Sequence, residues 1–408
     1  MRSMWQMTLA KSQWVRSFYR TSCIPADVRV RRWRERQIAR QRLELGPFAT
    51  KSNIHSSVAV ELTKGCSVGC WFCAFSPDKL SAAFAYTEEH RALWLDVLDA
   101  LRVRLGPAAA SIFLYWASDP FDNPDYERFC LDVHERLGVF PPTTTALALK
   151  DPARTRRFLE LSQARGVWLN RFSVLSLKML DRVHAEFTPA ELAHVECLAV
   201  NKESSFSFGN AGRFRERALA QPELLAEQRR KVGFAPWFAA DRAYDGVEAY
   251  PMDSISCVNG FLLNMVDRTV KLISPCVADD RRPLGYETYA ERSFGDAAEL
   301  GAALDDAIAR HMTVGLADGV RVRFYPWVRY EECKGGFRVS GRFNEALEFV
   351  DDDHGDAWRL LGALVRGGET SAGVLGERIG ADCNVGAERA RTMLDVVFNA
   401  GLIDERDL

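Results

Sequence analysis

The stretch Val58–Cys73, VAVELTKGCSVGCWFC, joins a short apolar run to a glycine-rich loop with three cysteines. Cys66, Cys70 and Cys73 lie within eight residues, and an aromatic pair separates the last two. Glycines beside the first two cysteines permit the tight turns that wrapping a metal group requires. Three thiols are an odd number for disulfides and one short of a closed zinc site. The stretch therefore predicts a metal centre with one open coordination position.

The composition limits the classes of protein to which the chain can belong. Its 408 residues predict two domains, and 47% hydrophobic residues suffice for a large core. A net charge of −2 provides no basic field for nucleic acid. We find no signal peptide and no apolar run of ~18 residues, so we expect a cytoplasmic protein without a membrane span. Thiols stay reduced there, which makes the ten cysteines packing residues, metal ligands or reactive thiols.

Apolar runs alternate with helical patterns through the first half of the chain. The apolar runs that predict strands are 58–62, 111–116, 143–150, 167–176 and 194–200. Such alternation predicts βαβ units and a parallel sheet, either doubly wound or closed into a complete or partial (β/α) barrel. Ligands gather at the carboxyl ends of such strands. The segment 65–76, hereafter the cysteine loop, follows the first strand and is therefore expected at the functional edge.

The alternation of apolar runs with helical patterns ends at about residue 250. Residues 260–274 predict two strands joined by a turn, and a helix and a strand follow them. From Cys333 onward, a hairpin with its turn near 343–345 precedes three helical patterns, which is a winged-helix plan. We predict three domains: an N-terminal helical extension (1–54), a core (55–332) and a winged-helix-like domain (333–408). The basic segment 28–42 is interpreted as a solvated helix on the main domain.

Three thiolates at the spacing C-x3-C-x2-C can bind three irons of a [4Fe–4S] cluster. The fourth iron then has no protein ligand, and such an open site is where cofactor or substrate chemistry takes place. Zinc is the alternative, but no fourth ligand stands at finger spacing: His55 is eleven residues upstream, and no second C-x2-C exists.

The motif CSVGCWFC (66–73) resembles the C-x3-C-x-Φ-C signature of the radical S-adenosylmethionine (SAM) superfamily, in which Φ is aromatic. The resemblance implies an α/β fold with a partial, TIM-like (β/α) barrel. It also implies that the three cysteines hold the cluster, that the open iron binds SAM, and that Phe72 packs near the adenine. One-electron reduction by a flavodoxin or ferredoxin would cleave SAM to methionine and a 5′-deoxyadenosyl radical, which abstracts hydrogen from a substrate.

Other cofactor-binding residues are inferred position by position from the same family. After the second strand, its members usually have a Gly-Gly-Glu-Pro-like turn that holds the ammonium group of the cofactor. Here Ala117–Pro120 stands in that place and retains only the acid and the proline, so Ser118 and Asp119 are the candidates. The alternative is an ordinary turn and helix N-cap. Lys150, Arg171 and Ser173 suit carboxylate and ribose contacts, with an ordinary surface role as their alternative.

Three stretches resemble one subgroup, the proteusin-type amino-acid epimerases that mature ribosomally made peptides. They are GCSVGCWFC (65–73), YWASDPFDNPDY (115–126) and LISPCVADDRRPLGY (272–286). The resemblance implies that the enzyme removes the Cα hydrogen of an L-residue and returns hydrogen to the other face. Cysteine is the natural donor because its S–H bond is weak.

The donor candidates outside the cysteine loop are Cys276 and Cys333, followed by Cys257. Cys276 ends a predicted strand, and if that strand belongs to the barrel, its end faces the active site. Cys333 lies in EECKGG, a loop predicted between the two units. For each of them the alternative is a small hydrophobic packing residue.

The winged-helix-like segment has two main interpretations. It captures the leader of a precursor peptide as an extra strand beside the hairpin, or it binds DNA. Acidic residues at 351–353 and Glu388 oppose phosphate contact, so we expect a peptide partner and no nucleic acid. A purely structural cap is the third alternative. For the whole protein, radical cross-linking or another peptide modification, and an iron–sulfur sensor with a winged-helix output, remain alternatives to epimerisation.

Overall fold

The chain is a mixed α/β protein with two compact units. The computed structural model describes residues 17–47, 50, 53–167, 169–204, 206–234, 252–254 and 256–406. Among these, the first unit contains 17–27, 54–234 and 252–306, and the second contains 28–53 and 307–406. The units divide at other residues than the predicted domain boundaries after 54 and 332, and the three-domain division stays a prediction.

The helices and strands alternate through most of the first unit and segregate in the second. The α-helices are α1 (Val28–Leu45), α2 (Glu88–Leu105), α3 (Tyr126–Leu137), α4 (Pro152–Gln163), α5 (Leu177–Glu186), α6 (Gly212–Ala220), α7 (Pro222–Phe234), α8 (Ala297–His311), α9 (Gly355–Gly367), α10 (Ala372–Cys383) and α11 (Ala387–Asn399). The strands are β1 (Ser56–Glu61), β2 (Thr63–Lys64), β3 (Ala82–Ala83), β4 (Thr144–Thr145), β5 (Asn170–Val174), β6 (Val195–Ala199), β7 (Val258–Asn264), β8 (Thr269–Pro275), β9 (Tyr286–Ser293), β10 (Arg329–Cys333), β11 (Gly336–Ser340) and β12 (Ala346–Val350). No helix in the described ranges is both long and apolar enough to cross a bilayer.

Parallel strands form the centre of the first unit, as the βα alternation predicts. β4, β5 and β6 pair in parallel, and β1 pairs in parallel with β7. β8 and β9 then extend the second sheet with antiparallel strands. Within the described residues these strands form two separate sheets and not a closed barrel.

Two of the apolar runs form shorter strands than their sequences predict. In the run 111–116, Phe113 makes a single parallel bridge to Ala59. A 3₁₀ helix, Gly106–Ser111, takes up the residues before it, and the burial of five of the six residues of the run accounts for the apolar character of the run. In the run 143–150, only Thr144–Thr145 pairs with a neighbour. Burial alone made these runs look like strands, because a buried loop needs the same side chains as a buried strand.

The second unit contains the predicted hairpin and the predicted three helices. β10, β11 and β12 form one antiparallel sheet, with Ser340 opposite Ala346 at the turn. Its apolar core joins α9, α10 and α11 to one face of this sheet and includes Phe337, Leu361 and Leu394. The predicted strand at 320–330 is mostly irregular, and β10 begins only at its end. The winged-helix description stays an interpretation.

Helix α1 is a buried element of the second unit and not a solvated helix. Trp33 and Arg36 have no exposed surface, and Arg40 is 2% exposed. The guanidinium of Arg36 pairs with Glu405, its Nε lying 2.6 Å from Oε1. The interpretation from sequence was wrong because arginines at helical spacing are typical of a wet surface. The burial of Arg36 depends on a partner more than 360 residues away, whereas Arg40 pairs with Glu44 on the same helix.

Candidate cofactor site at the cysteine loop

The cysteine loop is closed at its base by backbone pairing. Lys64 pairs with Ala82 in the short β2–β3 ladder, and the Cys66 amide donates to the Asp78 carbonyl at 3.0 Å. Gly65 has φ +82°, and a Cβ there would overlap the Lys79 carbonyl. Only glycine fits this position, because the conformation is left-handed and the returning chain passes too close for a side chain. The loop therefore leaves the carboxyl end of β1 and returns to it.

The three cysteines of the loop are half-buried and form no disulfide. The Cys73 amide donates to the Cys70 carbonyl at 3.2 Å, so the last two cysteines share one turn. Burial raises the pKa of Cys70 to about 12, and the neighbouring thiols of Cys73 and Cys66 add to that rise. Burial also raises the pKa of Cys66. Thiols in such a setting ionise when a cation binds them.

The thiol chemistry of the loop fits an iron–sulfur cluster in ligand type and in proximity. Iron–sulfur clusters take cysteine thiolates as ligands, and here three such groups influence one another's charge within one loop. Among the described residues, however, no three His, Cys, Asp or Glu side chains stand in a ready metal-binding arrangement. Cys66, Cys70 and Cys73 are thus the groups that would hold a cluster, and their ligation stays a prediction.

The second of the three motifs, YWASDPFDNPDY (115–126), contacts the cysteine loop directly through its acidic turn. The Asp122 carboxylate accepts the Ser67 amide at 2.8 Å through Oδ2 and the Ser67 hydroxyl at 2.5 Å through Oδ1. Ser67 lies between the first two cysteines. The sequence showed the acidic turn, but nothing in it assigned Asp122 a partner 55 residues upstream.

Asp119 is buried and already has three hydrogen-bond donors. Its carboxylate accepts the Phe121 amide at 3.0 Å, the Thr145 hydroxyl at 2.7 Å and the Ala146 amide at 2.7 Å. Burial raises the pKa of Asp119 to about 6. A carboxylate has about four acceptor positions, so room for an ammonium group is limited to one contact. The cofactor roles of Asp119 and the half-buried Ser118 stay predictions.

Phe72 belongs to an aromatic cluster that the sequence did not reveal. Its ring stacks on Phe208 with 4.3 Å between centroids and 10° between planes. Trp71 packs edge-on against both rings, and Phe214 completes the cluster. Phe208 comes nine residues after β6, in the run FSFG, and aromatic content was its only signal. Its stacking fixes the orientation of the ring that is predicted to lie near the adenine.

The third motif (272–286) is linked to the cysteine loop through Gly212 and Arg213, which lie outside the motif. The Arg213 amide donates to the Cys73 carbonyl at 3.0 Å, and the Gly212 amide donates to the Pro283 carbonyl at 2.7 Å. Gly212 has φ +51°, and a Cβ there would overlap the Ala74 carbonyl. Thus residues of all three motifs meet around the cysteine loop in the first unit.

The remaining predicted cofactor residues are Lys150, Arg171 and Ser173, on and before strand β5. Arg171 is the second residue of β5, near its amino end, and its Nε pairs with Glu196 at 2.7 Å. Ser173 follows on the same face of the strand and is half-buried, and Lys150 is exposed. The strand position of Arg171 differs from the expected carboxyl edge, and all three cofactor roles stay predictions.

The strand that carries Cys276 runs in the opposite direction to the one expected of a barrel strand. β8 is antiparallel to β7, so Ile273 lies opposite Gly260, at the edge where β1 and β7 begin. Cys276 is 1% exposed. Cys257, directly before β7, lies at the same edge. The reason given for Cys276 therefore does not hold, although its role as donor is untested.

Cys333 is the last residue of β10 in the second unit. It is half-buried and pairs with Gly336 across the hairpin that Lys334 and Gly335 close. It thus lies at the end of a regular strand and not in a loop between the units. Its role as hydrogen donor stays a prediction.

Glu61 is a site residue that sequence reasoning missed. It ends β1, and its carboxylate accepts the Ala117 amide at 2.9 Å and the Asn264 side-chain amide at 3.2 Å. Burial raises the pKa of Glu61 to about 7. Its only signal in sequence is a carboxyl group at the end of the apolar run VAVEL.

Comparisons with known proteins identify one curated relative. No protein-family model matches the chain. The chain is 35% identical, over 375 residues, to the uncharacterized protein y4wI of Sinorhizobium fredii (strain NBRC 101917 / NGR234). The match covers 91% of this chain and 68% of that protein. Among solved structures, BtrN in complex with AdoMet and 2-DOIA aligns with 35% of this chain and 55% of its own, at 16% identity and a TM-score of 0.26. That similarity is too low to assign a fold.

Proposed function

The chain belongs to the family of the uncharacterized Sinorhizobium protein y4wI, and we propose that it is a radical SAM enzyme that epimerises residues of a ribosomally made peptide. The observation that carries the proposal is the cysteine loop. Its three thiols follow the carboxyl end of β1. Asp122 of the second motif contacts the loop directly, and Pro283 of the third motif is linked to it through Gly212 and Arg213. This edge of a parallel sheet is the usual position for a ligand site.

The residues of the loop would bind and orient the cofactors. Cys66, Cys70 and Cys73 hold the cluster, and the stacked ring of Phe72 covers the adenine. When bound, the cluster and SAM supply the radical that removes a hydrogen atom from the peptide. Asp119, held by its three donors, accepts the cofactor ammonium at its remaining position. A flavodoxin-type or ferredoxin-type protein delivers the electron.

A cysteine thiol returns hydrogen to the peptide. Its S–H bond breaks as the new Cα–H bond forms on the opposite face, which leaves a sulfur radical on the protein. One electron from the reductant and one proton from solvent restore the thiol. Cys276 and Cys333 are the two candidates, and substituting each in turn distinguishes them.

The outer strand of the second unit offers a place for the leader of the peptide. β12 has a neighbour on one side only among the described strands, and its Leu347 and Val350 are 36% and 48% exposed. An extended peptide would add to this edge by backbone hydrogen bonds, with apolar side chains against these two residues. DNA is the less suitable partner because β12 itself has no Lys or Arg, and the neighbouring Arg338 and Arg389 are paired with Glu348 and Asp351.

The test is co-expression with the neighbouring precursor peptide in deuterated water. Epimerisation gives D-residues with one deuterium each, whereas cross-linking removes two hydrogens in mass without D-residues. Cys70→Ala should abolish both the brown absorbance of the cluster and the modification. Cys383→Ala, a half-buried cysteine of the second unit, is the matched control and should retain both. An unmodified peptide together with DNA binding in a gel would instead indicate the sensor.

The donor is tested separately from the cluster. We expect Cys276→Ala to stop D-residue formation while SAM cleavage continues, because only the return of hydrogen is lost. A normal D-residue yield from that variant would transfer the role to Cys333, for which Cys333→Ala is the corresponding test.

A further inference from the structure

The turn that carries Asp122 contacts the cysteine loop at Ser67 and also contacts the chain segments on either side of the loop. Asp122 accepts both the amide and the hydroxyl of Ser67. The side-chain amide of the next residue, Asn123, donates to the Leu62 carbonyl at 3.0 Å and to the Phe84 carbonyl at 2.9 Å. Leu62 precedes the loop and Phe84 follows it. The adjacent side chains of Asp122 and Asn123 therefore hold the turn between Cys66 and Cys70 and the two chain segments that flank the loop.

The turn itself is rigidly held. Asp122 closes the 3₁₀ helix Pro120–Asp122, and its amide donates to the Asp119 carbonyl at 3.0 Å. The guanidinium of Arg154 donates to the Phe121 carbonyl at 3.1 Å and to the Asn123 carbonyl at 2.7 Å. Asn123 has no exposed surface. Since these contacts do not involve the cysteine loop, the turn is a fixed support against which the loop is placed.

From this geometry we propose that Asp122 is a positioning residue that orders the cysteine loop, through Ser67, for binding its iron–sulfur cluster. The inference rests on the proposed function above. Asp122 touches no thiol in this role and acts through the serine between two of them. A loop with glycines on both sides of Ser67 gains conformational freedom when this contact is removed. Ordering the loop before binding reduces the entropy that cluster binding must offset.

The size of the effect follows from other metal sites. Partners that orient metal ligands typically contribute about 10–100-fold in metal affinity. We therefore expect Asp122→Ala to lose iron to a chelator about 10–100 times faster than the wild type after anaerobic reconstitution. Asp122→Asn should lie near the wild type, because its oxygen accepts the amide and its NH₂ donates to the hydroxyl. Ser67→Ala keeps the amide bond alone and should lie between them.

Hydrogen exchange of the cluster-free protein supplies a second readout. In the wild type the Ser67 amide is protected by Asp122, and in Asp122→Ala it should exchange at least about tenfold faster, since the lost bond is a charge-assisted one. The matched control is Asp125→Asn in the same motif, whose carboxylate accepts the Tyr86 amide and contacts Arg128 and not the cysteine loop. It should leave both the exchange of Ser67 and the loss of iron unchanged.

The outcomes separate this inference from the proposed function. A wild type that binds no iron contradicts the radical SAM assignment, whatever the variants do. A wild type that binds iron, with Asp122→Ala releasing it at the same rate, overturns the positioning role alone. If Asp122→Ala does not fold, as its circular dichroism would show, then Ser67→Ala decides. Ser67 is exposed, so that variant folds, and iron loss at the wild-type rate in it would refute the role.

Discussion

The two compact units use their buried and half-buried polar groups in different ways. In the first, Asp119, Asp122 and Glu61 each accept hydrogen bonds from backbone or small polar groups of loops at strand ends. In the second, Arg36 and Glu405 bind each other and join a helix to a distant segment. The first arrangement shapes loops that hold the candidate site. The second contributes to the cohesion of the unit, beside a continuous apolar core.

This difference separates the expected effects of substitutions. Losing one carboxylate of the first unit should alter the cysteine loop while most of the unit stays folded. Losing one partner of the buried pair in the second unit should lower its free energy of unfolding and leave iron binding alone. Substitutions in the two units therefore test whether site geometry and stability are carried by separate groups.

The largest effect is expected for Arg36→Ala. It leaves the Glu405 carboxylate buried without the guanidinium that neutralises it, and it removes the stacking of Arg36 on Phe398 at 4.0 Å. Breaking a buried pair on one side costs about 3–5 kcal/mol. Thermal unfolding combined with hydrogen exchange of the second unit measures this loss of stability. The double substitution Arg36→Met with Glu405→Leu should recover much of the loss, and equal destabilisation of both variants would contradict the explanation by unpaired charge.

Leu361→Ala should follow in size. Leu361 has no exposed surface and lies in the core between α9 and the sheet. Large-to-small substitutions there cost about 2–5 kcal/mol through lost burial and the cavity left behind. Denaturant unfolding measures it, with Val374→Ala, 48% exposed, as the control of small effect. Faster iron loss from folded Leu361→Ala would show that iron binding in the first unit depends on the core of the second.

Gly212→Ala should act on the cysteine loop with a smaller effect on stability. The new Cβ would press on the Ala74 carbonyl, and its left-handed backbone adds about 1–2 kcal/mol of strain. We expect faster iron loss after reconstitution. Gly166→Ala is the matched control, since it has φ +79° and open space around its Cβ position. If both variants release iron at the same rate, the close approach of residue 212 to the Ala74 carbonyl does not determine iron retention.

Glu61→Gln should have the smallest effect, seen as a change in pH dependence. Burial raises the pKa of Glu61 from 4.5 to about 7, so between these values the folded protein keeps a proton that the unfolded chain loses. The stability of the first unit therefore falls as pH rises through this window and levels off above it. Glutamine carries no such proton. Because part of the carboxyl is accessible to solvent, we expect a difference of about 1–2 kcal/mol between pH 5 and 8. Identical slopes of unfolding free energy against pH in both proteins would refute it.

The parts of the fold that could be predicted from the sequence are those that depend on local patterns. The spacing of Cys66, Cys70 and Cys73, the βα alternation and the hairpin before α9 each depend on neighbouring residues. The antiparallel direction of β8 follows from its four-residue connection to β7, which is too short for a parallel crossover. The sequence does not reveal that β7 pairs in parallel with β1, and this pairing decides the edge at which Cys276 lies.

The contacts that shape the site were beyond local patterns as well. Asp122 and Ser67 are 55 residues apart, and Phe208 stacks on a ring more than 130 residues upstream. Taken locally, the acidic turn predicts a helix cap and the aromatic run predicts core packing. Either local role uses the same side-chain chemistry as the contact with the cysteine loop. For Arg36, charge suggested solvent, and only a distant glutamate reverses that expectation.

The pairing of α1 with Glu405 also bears on how the chain is made. Synthesis proceeds at about 5–20 residues per second, so roughly 360 residues, or about 20–70 s, separate the appearance of the helix on the ribosome from that of its ionic partner. During this interval Trp33 and Arg36 lack the surroundings that bury them. Nascent chains are thus exposed to premature association through this helix. Slow codons placed before residue 307 would lengthen that exposure and should raise the demand for chaperones.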